Sequence, residues 1–271
     1  MSDDAKQNPI LTTPVVYRIP GMDQVTVRRD IPYANYGEDV LTMDVYYPVD
    51  SAGSRELPLV IFVLGYSDLG FQKLFGRNAR EMKPYVSWAQ LTAASGIAAI
   101  TYTNREPVTD IEAVLEYVRQ NAPSLGIDPN RIGIWACSGN VPTALHLLIQ
   151  APAAELKCAV LCYGMMLDPE GAGWVQEAAE QWGFRNPCVG KSIDDLPRDL
   201  PLFIARAGRD QFPHLNDTLD HFISGALTRN LRVTLVNHSE GPHAFDIFDD
   251  TDTSKEIVRQ ILGFMRFHLS R

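Results

Sequence analysis

Cysteine is scarce in this chain: Cys137, Cys158, Cys162 and Cys188 are the only four in 271 residues. A disulfide framework of the kind that staples small secreted domains is therefore not expected, and the thiols read as reduced and buried. Cys158 and Cys162 share one strand face, but no histidine lies close in sequence to complete a metal set, so no metal is expected. Positive charge is in deficit. The formal net charge is −9, which disfavours nucleic acid and anionic lipid surfaces, since both require a basic face. Long apolar runs are missing as well. No stretch approaches the roughly 18 apolar residues of a membrane span, and the opening MSDDAKQNPI lacks the apolar core of a signal peptide. The expectation is a cytoplasmic protein with no membrane partner.

What remains is ordinary globular composition, 45% hydrophobic and 21% charged, enough for one large core. Residues 1–15 read as a flexible leader, with Pro9 and Pro14, and 16–271 as a single domain. Strands are expected near 23–32 and over 39–48. From residue 57 the pattern becomes continuous apolar runs that suit strands buried on both faces: 57–65, 96–103, 132–137, 156–164, 200–208 and 231–238. Between them the spacing predicts helices over 78–94, 109–123 (capped by Thr109 or Asp110), 141–150, 214–229 and 253–269. In the last, Ile257, Val258, Ile261, Leu262 and Met265 share one face. Strand and helix thus alternate to the end, the signature of a mostly parallel sheet with helices on both sides.

The strand 132–137 runs straight into Ala136-Cys137-Ser138-Gly139-Asn140, where a helix begins. A serine held up on a tight strand-turn-helix needs small neighbours two residues to either side, because the backbone there is crowded. The usual pattern is G-x-S-x-G. Here Ala136 is a small replacement and Asn140 a bulkier one. A serine capping the next helix would use similar residues, so the motif alone does not decide.

The order of the later strand ends raises the catalytic reading. A serine hydroxyl needs a base to take its proton and a carboxylate to orient that base. Asp210 comes directly after one strand, in AGRDQF, and His243 after another, in SEGPHAFD, at the same sheet edge as Ser138. Gly241-Pro242 gives His243 the turn that swings it over the sheet, which favours it over His238 at the strand end. His146, His214, His221 and His268 read as helix positions, and Asp217, Asp246, Asp249 and Asp250 as caps or surface charge. The oxyanion formed on attack needs preorganised donors. Those expected are the backbone N–H groups of Gly139 and of Tyr66, in the loop after VIFVLG, with help from Ser67.

With LTMDVYYP, LPLVIFVLGYSD, GIWACSGN, ARAGRDQF and EGPHAFD in that order, the chain resembles an α/β-hydrolase of the carboxylesterase and dienelactone-hydrolase-like branches, over roughly residues 25–270. The resemblance implies an eight-stranded, mostly parallel sheet whose second strand is antiparallel. It also implies acyl transfer through a serine ester, without metal or cofactor. Leu64 departs from the His-Gly-Gly loop of many esterases. Dienelactone hydrolases proper carry a cysteine where this chain has Ser138, and Cys137 should point into the fold.

One stretch breaks the rhythm. Residues 165–199 interrupt two strands with a short helical piece, and insertions at strand ends often cover a site. This segment is expected to form a cap. Met165, Met166, Trp174 and Trp182, with Ser67 from the loop after VIFVLG, are candidate pocket residues, with Phe184 adding an apolar face and Asp168, Glu170, Glu177 and Glu180 turned outward. The reading is a serine hydrolase acting on a small-molecule carboxylic ester. Amide, peptide or lactone cleavage by the same triad, or a catalytically silent ligand-binding fold, stay open.

Overall fold

The computed structural model describes residues 9–37, 39–49, 51, 56–151, 155–167 and 173–270. Its frame is one eight-stranded sheet in the order β1-β2-β4-β3-β5-β6-β7-β8. The strands are β1 (Thr26–Tyr36), β2 (Asp39–Tyr47), β3 (Leu57–Phe62), β4 (Ala98–Tyr102), β5 (Ile127–Cys137), β6 (Cys158–Cys162), β7 (Leu202–Ala207) and β8 (Val233–His238). β2 pairs antiparallel with both β1 and β4, and every pairing from β4 through β8 is parallel. Leu59, Val60, Ile61, Ile134, Ala159, Val160, Leu161 and Ile204 expose nothing to solvent, as expected of central strands covered on both faces. β8, at the edge, keeps only His238 buried.

The helices are α1 (Pro9–Thr12), α2 (Asp68–Phe75), α3 (Lys83–Ala94), α4 (Pro107–Leu125), α5 (Val141–Gln150), α6 (Trp174–Trp182), α7 (Leu215–Thr228), α8 (Phe245–Phe248) and α9 (Asp252–Leu269). α3 packs on β2, β3 and β4, and α9 on β5 through β8, while α4 and α5 pack on each other and on β5. The apolar stripe of α9 is buried as its spacing requires.

Several expectations are corrected. The helix expected over 78–94 is a single 3-10 turn at Ala79–Glu81 followed by α3, because Met82 is extended and Pro84 sits in the first helical turn, where its missing N–H costs nothing. α4 begins earlier than expected. Neither Thr109 nor Asp110 occupies its N-cap, which is Glu106. Asp110 reaches back instead, accepting the N–H groups of Arg105 at 2.6 Å and Glu106 at 2.8 Å. α2 is an element that the apolar spacing does not predict. Its signal is local: the Ser67 hydroxyl accepts the Gly70 N–H at 3.1 Å, and Gly76 closes the helix in the left-handed region, the usual stop device.

The expected leader is corrected in part. Residues 1–8 lie outside the described residues, but 9–16 are packed on the body. Leu11 and Val15 are each 1% exposed. The Val15 N–H donates to the Ser87 hydroxyl at 2.9 Å, and the Val16 N–H donates to the Asp246 carbonyl at 2.8 Å.

Candidate active site

Four loops leave the carboxyl ends of parallel strands β3, β5, β7 and β8 and meet at one sheet edge, where open α/β sheets place ligands. β5 ends at Cys137, and Ser138 follows in the left-handed region at φ +55°. A non-glycine residue there is strained, and the turn lifts the hydroxyl out of the sheet. Its Oγ lies 2.9 Å from His243 Nε2, and His243 Nδ1 lies 2.6 Å from Asp210 Oδ2. The Asp210 side chain is fully buried and its other oxygen accepts the Phe212 N–H at 3.0 Å. The imidazole is flanked edge-on by the rings of Phe212 and Tyr163, with centroids 4.4 and 5.0 Å away. The loops carrying Asp210 and His243 are tied together by the Arg209 N–H donating to the Gly241 carbonyl at 2.9 Å. The three residues singled out in the sequence thus form a continuous relay.

The other histidines fall elsewhere. His238 Nε2 contacts Asp249 at 2.9 Å and Ser254 at 3.0 Å, in a buried polar knot at the start of α9. His214 stacks on Trp174 and pairs with Asp217.

The loop after β3 shows where the donors for a developing negative charge can come from. The Leu64 N–H is taken by the Tyr102 hydroxyl, and its side chain is buried. The Gly65 N–H donates to Asn140 Oδ1 at 2.7 Å, and the Gly65 carbonyl accepts the Arg185 N–H at 2.8 Å. The Tyr66 carbonyl accepts Asn104 Nδ2 at 3.1 Å. The Tyr66 N–H is left without a partner among the described residues, as is that of Ser67, the N-cap of α2. Gly139 opens the turn after Ser138, so its N–H likewise has no acceptor within the turn.

Asn140, the bulky departure from the serine motif, is the brace between these two loops. It is 2% exposed. Besides holding Gly65, it donates through Nδ2 to the Tyr85 hydroxyl at 2.8 Å. The approach is backbone on backbone: a Cβ on Gly65 would lie 2.4 Å from the Gly139 carbonyl oxygen and 2.8 Å from Asn140 Cα. Cys137 sits beneath, 3.7 Å from Asn140 Nδ2, and burial pushes its thiol up to about 12. It is a neutral thiol at ordinary pH, unsuited to attack.

A cavity of about 530 Å³ opens beside Ser138 and His243. The expected cap supplies Met165, Trp182 and Phe184 to its lining, and the body supplies Phe71, Tyr85 and Trp88. Met165 and Phe184 also join Val175, Ala178, Ala179 and Leu215 in a small apolar cluster separate from the main core. Three candidate pocket residues are corrected. Ser67 spends its hydroxyl capping α2. Trp174 stacks flat on His214 with centroids 4.2 Å apart. Met166 is wholly buried in the main core. None of the three lines the cavity. Glu177 and Glu180 face outward as expected, while Asp168 and Glu170 lie outside the described residues.

Asp246, expected as a cap or surface charge, is neither. It is 3% exposed and lines the cavity, accepting Trp88 Nε1 at 2.6 Å and the Tyr163 hydroxyl at 2.5 Å. Burial raises its pKa, and the hydrogen bonds from Tyr163 and Trp88 oppose that rise. The signal available in the sequence is an acid set between apolar residues on both sides, in AFDIF.

No protein-family model matches the sequence, and no curated protein sequence is recognisably similar to it. Solved structures are. One of two fungal esterases from Rhizomucor miehei superposes with a TM-score of 0.70 at 14% identity, covering 99% of this chain and 89% of its own. Vibralactone cyclase gives 0.69 at 16% identity over 93% and 82%, and a bacterial heroin esterase 0.68 at 17% over 92% and 86%. The chain has the α/β-hydrolase fold.

Two predictions test the bracing of the Tyr66 loop. Replacing Asn140 by alanine removes the acceptor for the Gly65 N–H. On the reading of this site as a hydrolase, kcat should fall by about 10- to 100-fold with KM within a fewfold, since the loop geometry matters most once charge develops. An unchanged kcat would show that the loop holds itself. The second concerns Asp68, whose Oδ2 accepts the Asn104 N–H at 2.9 Å while Oδ1 is buried without a partner among the described residues. Burial, the largest influence, raises its pKa from 3.8 to about 6. The folded state therefore binds this proton more tightly than the unfolded chain does. The stability it contributes is complete below about pH 4 and is lost as pH rises through about 6. Asp68→Asn, which stays neutral, should gain on wild type by about 2–3 kcal/mol between pH 4 and pH 7.5 in urea unfolding. A pH-independent difference would contradict the raised value.

Proposed function

We propose that the protein is a serine hydrolase that cleaves a neutral carboxylic ester by way of an acyl-serine. The observation that carries this reading is the continuous Ser138–His243–Asp210 relay beside two backbone N–H groups that have no acceptor of their own among the described residues. His243 Nδ1–H donates to the Asp210 carboxylate, so Nε2 is free to accept the Ser138 proton as Oγ attacks the carbonyl carbon. The resulting oxyanion is received by the N–H groups of Tyr66 and Gly139. When the intermediate collapses, the alkoxide leaves with the proton held on His243. Water then enters, gives its proton to the same nitrogen and attacks the acyl carbon, returning Ser138 and releasing the carboxylic acid. The strained φ of Ser138 keeps its hydroxyl between base and carbonyl throughout.

The cavity narrows the substrate class. Its volume and aromatic lining suit apolar acyl or alcohol groups larger than acetyl, and a polar headgroup would find few partners there. The cap contributes walls from one nine-residue helix and the chain after it, which favours medium chains over long lipids.

Treatment with a fluorophosphonate followed by peptide mass spectrometry should place the adduct on Ser138. Ser138→Ala should lose about 10⁴–10⁶-fold in kcat, and His243→Ala about as much, with the double variant no worse because the two act as a unit. Labelling elsewhere, or a folded Ser138→Ala that keeps a tenth of the activity, would sink the assignment. Trp182 lines the cavity yet is 41% exposed, packed edge-on to Phe212 with centroids 5.2 Å apart. Trp182→Ala should lower the preference for butyrate over acetate esters by about three- to tenfold, since each methylene sheltered from water is worth up to about 0.8 kcal/mol. A uniform loss across acetate, butyrate and octanoate would reduce the cap to packing alone.

A further inference from the structure

Asp246 is a buried acid that the hydrolase mechanism leaves unused. Among the described residues lining the cavity it alone carries a carboxyl group, and no lysine or arginine lines it. The wall around it is aromatic. Oδ2 accepts the Trp88 indole N–H at 2.6 Å and Oδ1 the Tyr163 hydroxyl at 2.5 Å. Trp135, also in the lining, lies against Trp88 with centroids 5.2 Å apart. Both donors are uncharged, and a carboxyl group has about four lone-pair sites, so both oxygens keep acceptor capacity. The Tyr163 ring flanks His243, with centroids 5.0 Å apart, so one tyrosine side chain spans from His243 to the acid.

We infer that Asp246 is a substrate-binding residue: its carboxyl group accepts a hydroxyl at the far end of an otherwise apolar ester. The inference rests on the ester-hydrolase reading and narrows its substrate class. Three features support it. A hydroxyl drawn into aromatic walls loses its water, and without a partner there it is strongly disfavoured, so one acceptor in the lining decides whether such a chain is taken. The acceptor is held in place from two sides by Trp88 and Tyr163, so it needs no rearrangement to receive the substrate. Burial raises the Asp246 pKa, which weakens its hold on a cation and suits an uncharged donor. The hydroxyl can belong to the acyl or to the alcohol half of the ester, since the chemistry that recognises it is the same.

A carboxyl group that only fastens Tyr163 to Trp88 would leave a substrate hydroxyl unanswered, and the cavity would then prefer a methyl group in its place. Two pairs of esters that exchange these groups separate the roles. Methyl 6-hydroxyhexanoate against methyl heptanoate probes the acyl half, and 6-hydroxyhexyl acetate against heptyl acetate the alcohol half. In one pair the hydroxyl ester should lead by about tenfold in kcat/KM, which also assigns the half that Asp246 reads. Asp246→Asn puts an amide donor among the Trp88 and Tyr163 donors. It should bring that ratio to about one or below, whatever it does to the overall rate. Wild type that prefers the methyl group in both pairs would overturn the proposal, as would a folded Asn variant that keeps the wild-type ratio. Faster cleavage of methyl 6-aminohexanoate than of the hydroxyl ester would replace the neutral donor by a cation and overturn it too. Should the Asn variant not fold, 1,6-hexanediol and 1-heptanol are titrated into ¹⁵N-labelled wild type. The Trp88 indole N–H is bonded to the same carboxyl group, so its resonance should move more with the diol, and equal shifts would overturn the proposal. Fluorophosphonate labelling distinguishes the two failures. Ser138 left unlabelled, with none of the esters cleaved, takes down the hydrolase reading and this inference together. Ser138 labelled, with the methyl-ended esters preferred, removes the role of Asp246 alone.

Discussion

The contact on which the site depends is the approach of the Gly65 backbone to the turn after Ser138, so close that a single added carbon would overlap the Gly139 carbonyl. Two loops from neighbouring parallel strands can meet that closely only if their peptide groups are complementary. Asn140 makes them so by accepting the Gly65 N–H. A glycine at position 140 would permit the approach without enforcing it. The asparagine converts permission into a fixed distance, and its other end is pinned on Tyr85 of α3. Geometry at Ser138 is thereby tied to the helix layer through one buried amide.

The surroundings of this contact are buried and aromatic, which raises the worth of every polar group left inside. Asp210 is buried and answered by His243 and a backbone N–H. Asp246 is buried and answered by an indole and a phenol. The two carboxyl groups therefore have different work. The first orients His243, which in the proposed mechanism must change its charge state. The second fastens Tyr163, whose ring flanks that base, to Trp88 on α3. Tyr163 itself has φ +36°, a second strained residue at the end of the strand next to the serine, held by its hydroxyl at one end and its N–H to Ala205 at the other.

Much of this is legible in the residues. Continuous apolar runs locate the central strands because burial on both faces leaves no polar positions. The relay comes out of strand order, since Ser138, Asp210 and His243 each lie just past a strand end and parallel strands bring such ends to one edge. What cannot be read depends on side chains meeting across the fold. Asn140 looks like a flaw in a motif until Gly65 comes within reach. Asp246 looks like a surface charge because its partners lie 83 and 158 residues away in the chain. Ser67 illustrates a local competition: the same hydroxyl could serve a site or a helix end, and the helix takes it. Trp174, at the start of the cap helix, finds a flat partner in His214 and turns away from the cavity.

The packing of residues 9–16 has a consequence for how the molecule is assembled. Ile10 lines the same cavity as Ile247 and Phe248, and the Val16 N–H bonds the Asp246 carbonyl, so segments from opposite ends of the sequence close on one another at the floor of the site. During synthesis the first of these segments waits until residue 246 has been made before its partner exists. The cavity is thus closed on this side later than the central strands that precede α8 are made. A ribosome-bound chain can complete those strands and still leave that side open until α8 emerges.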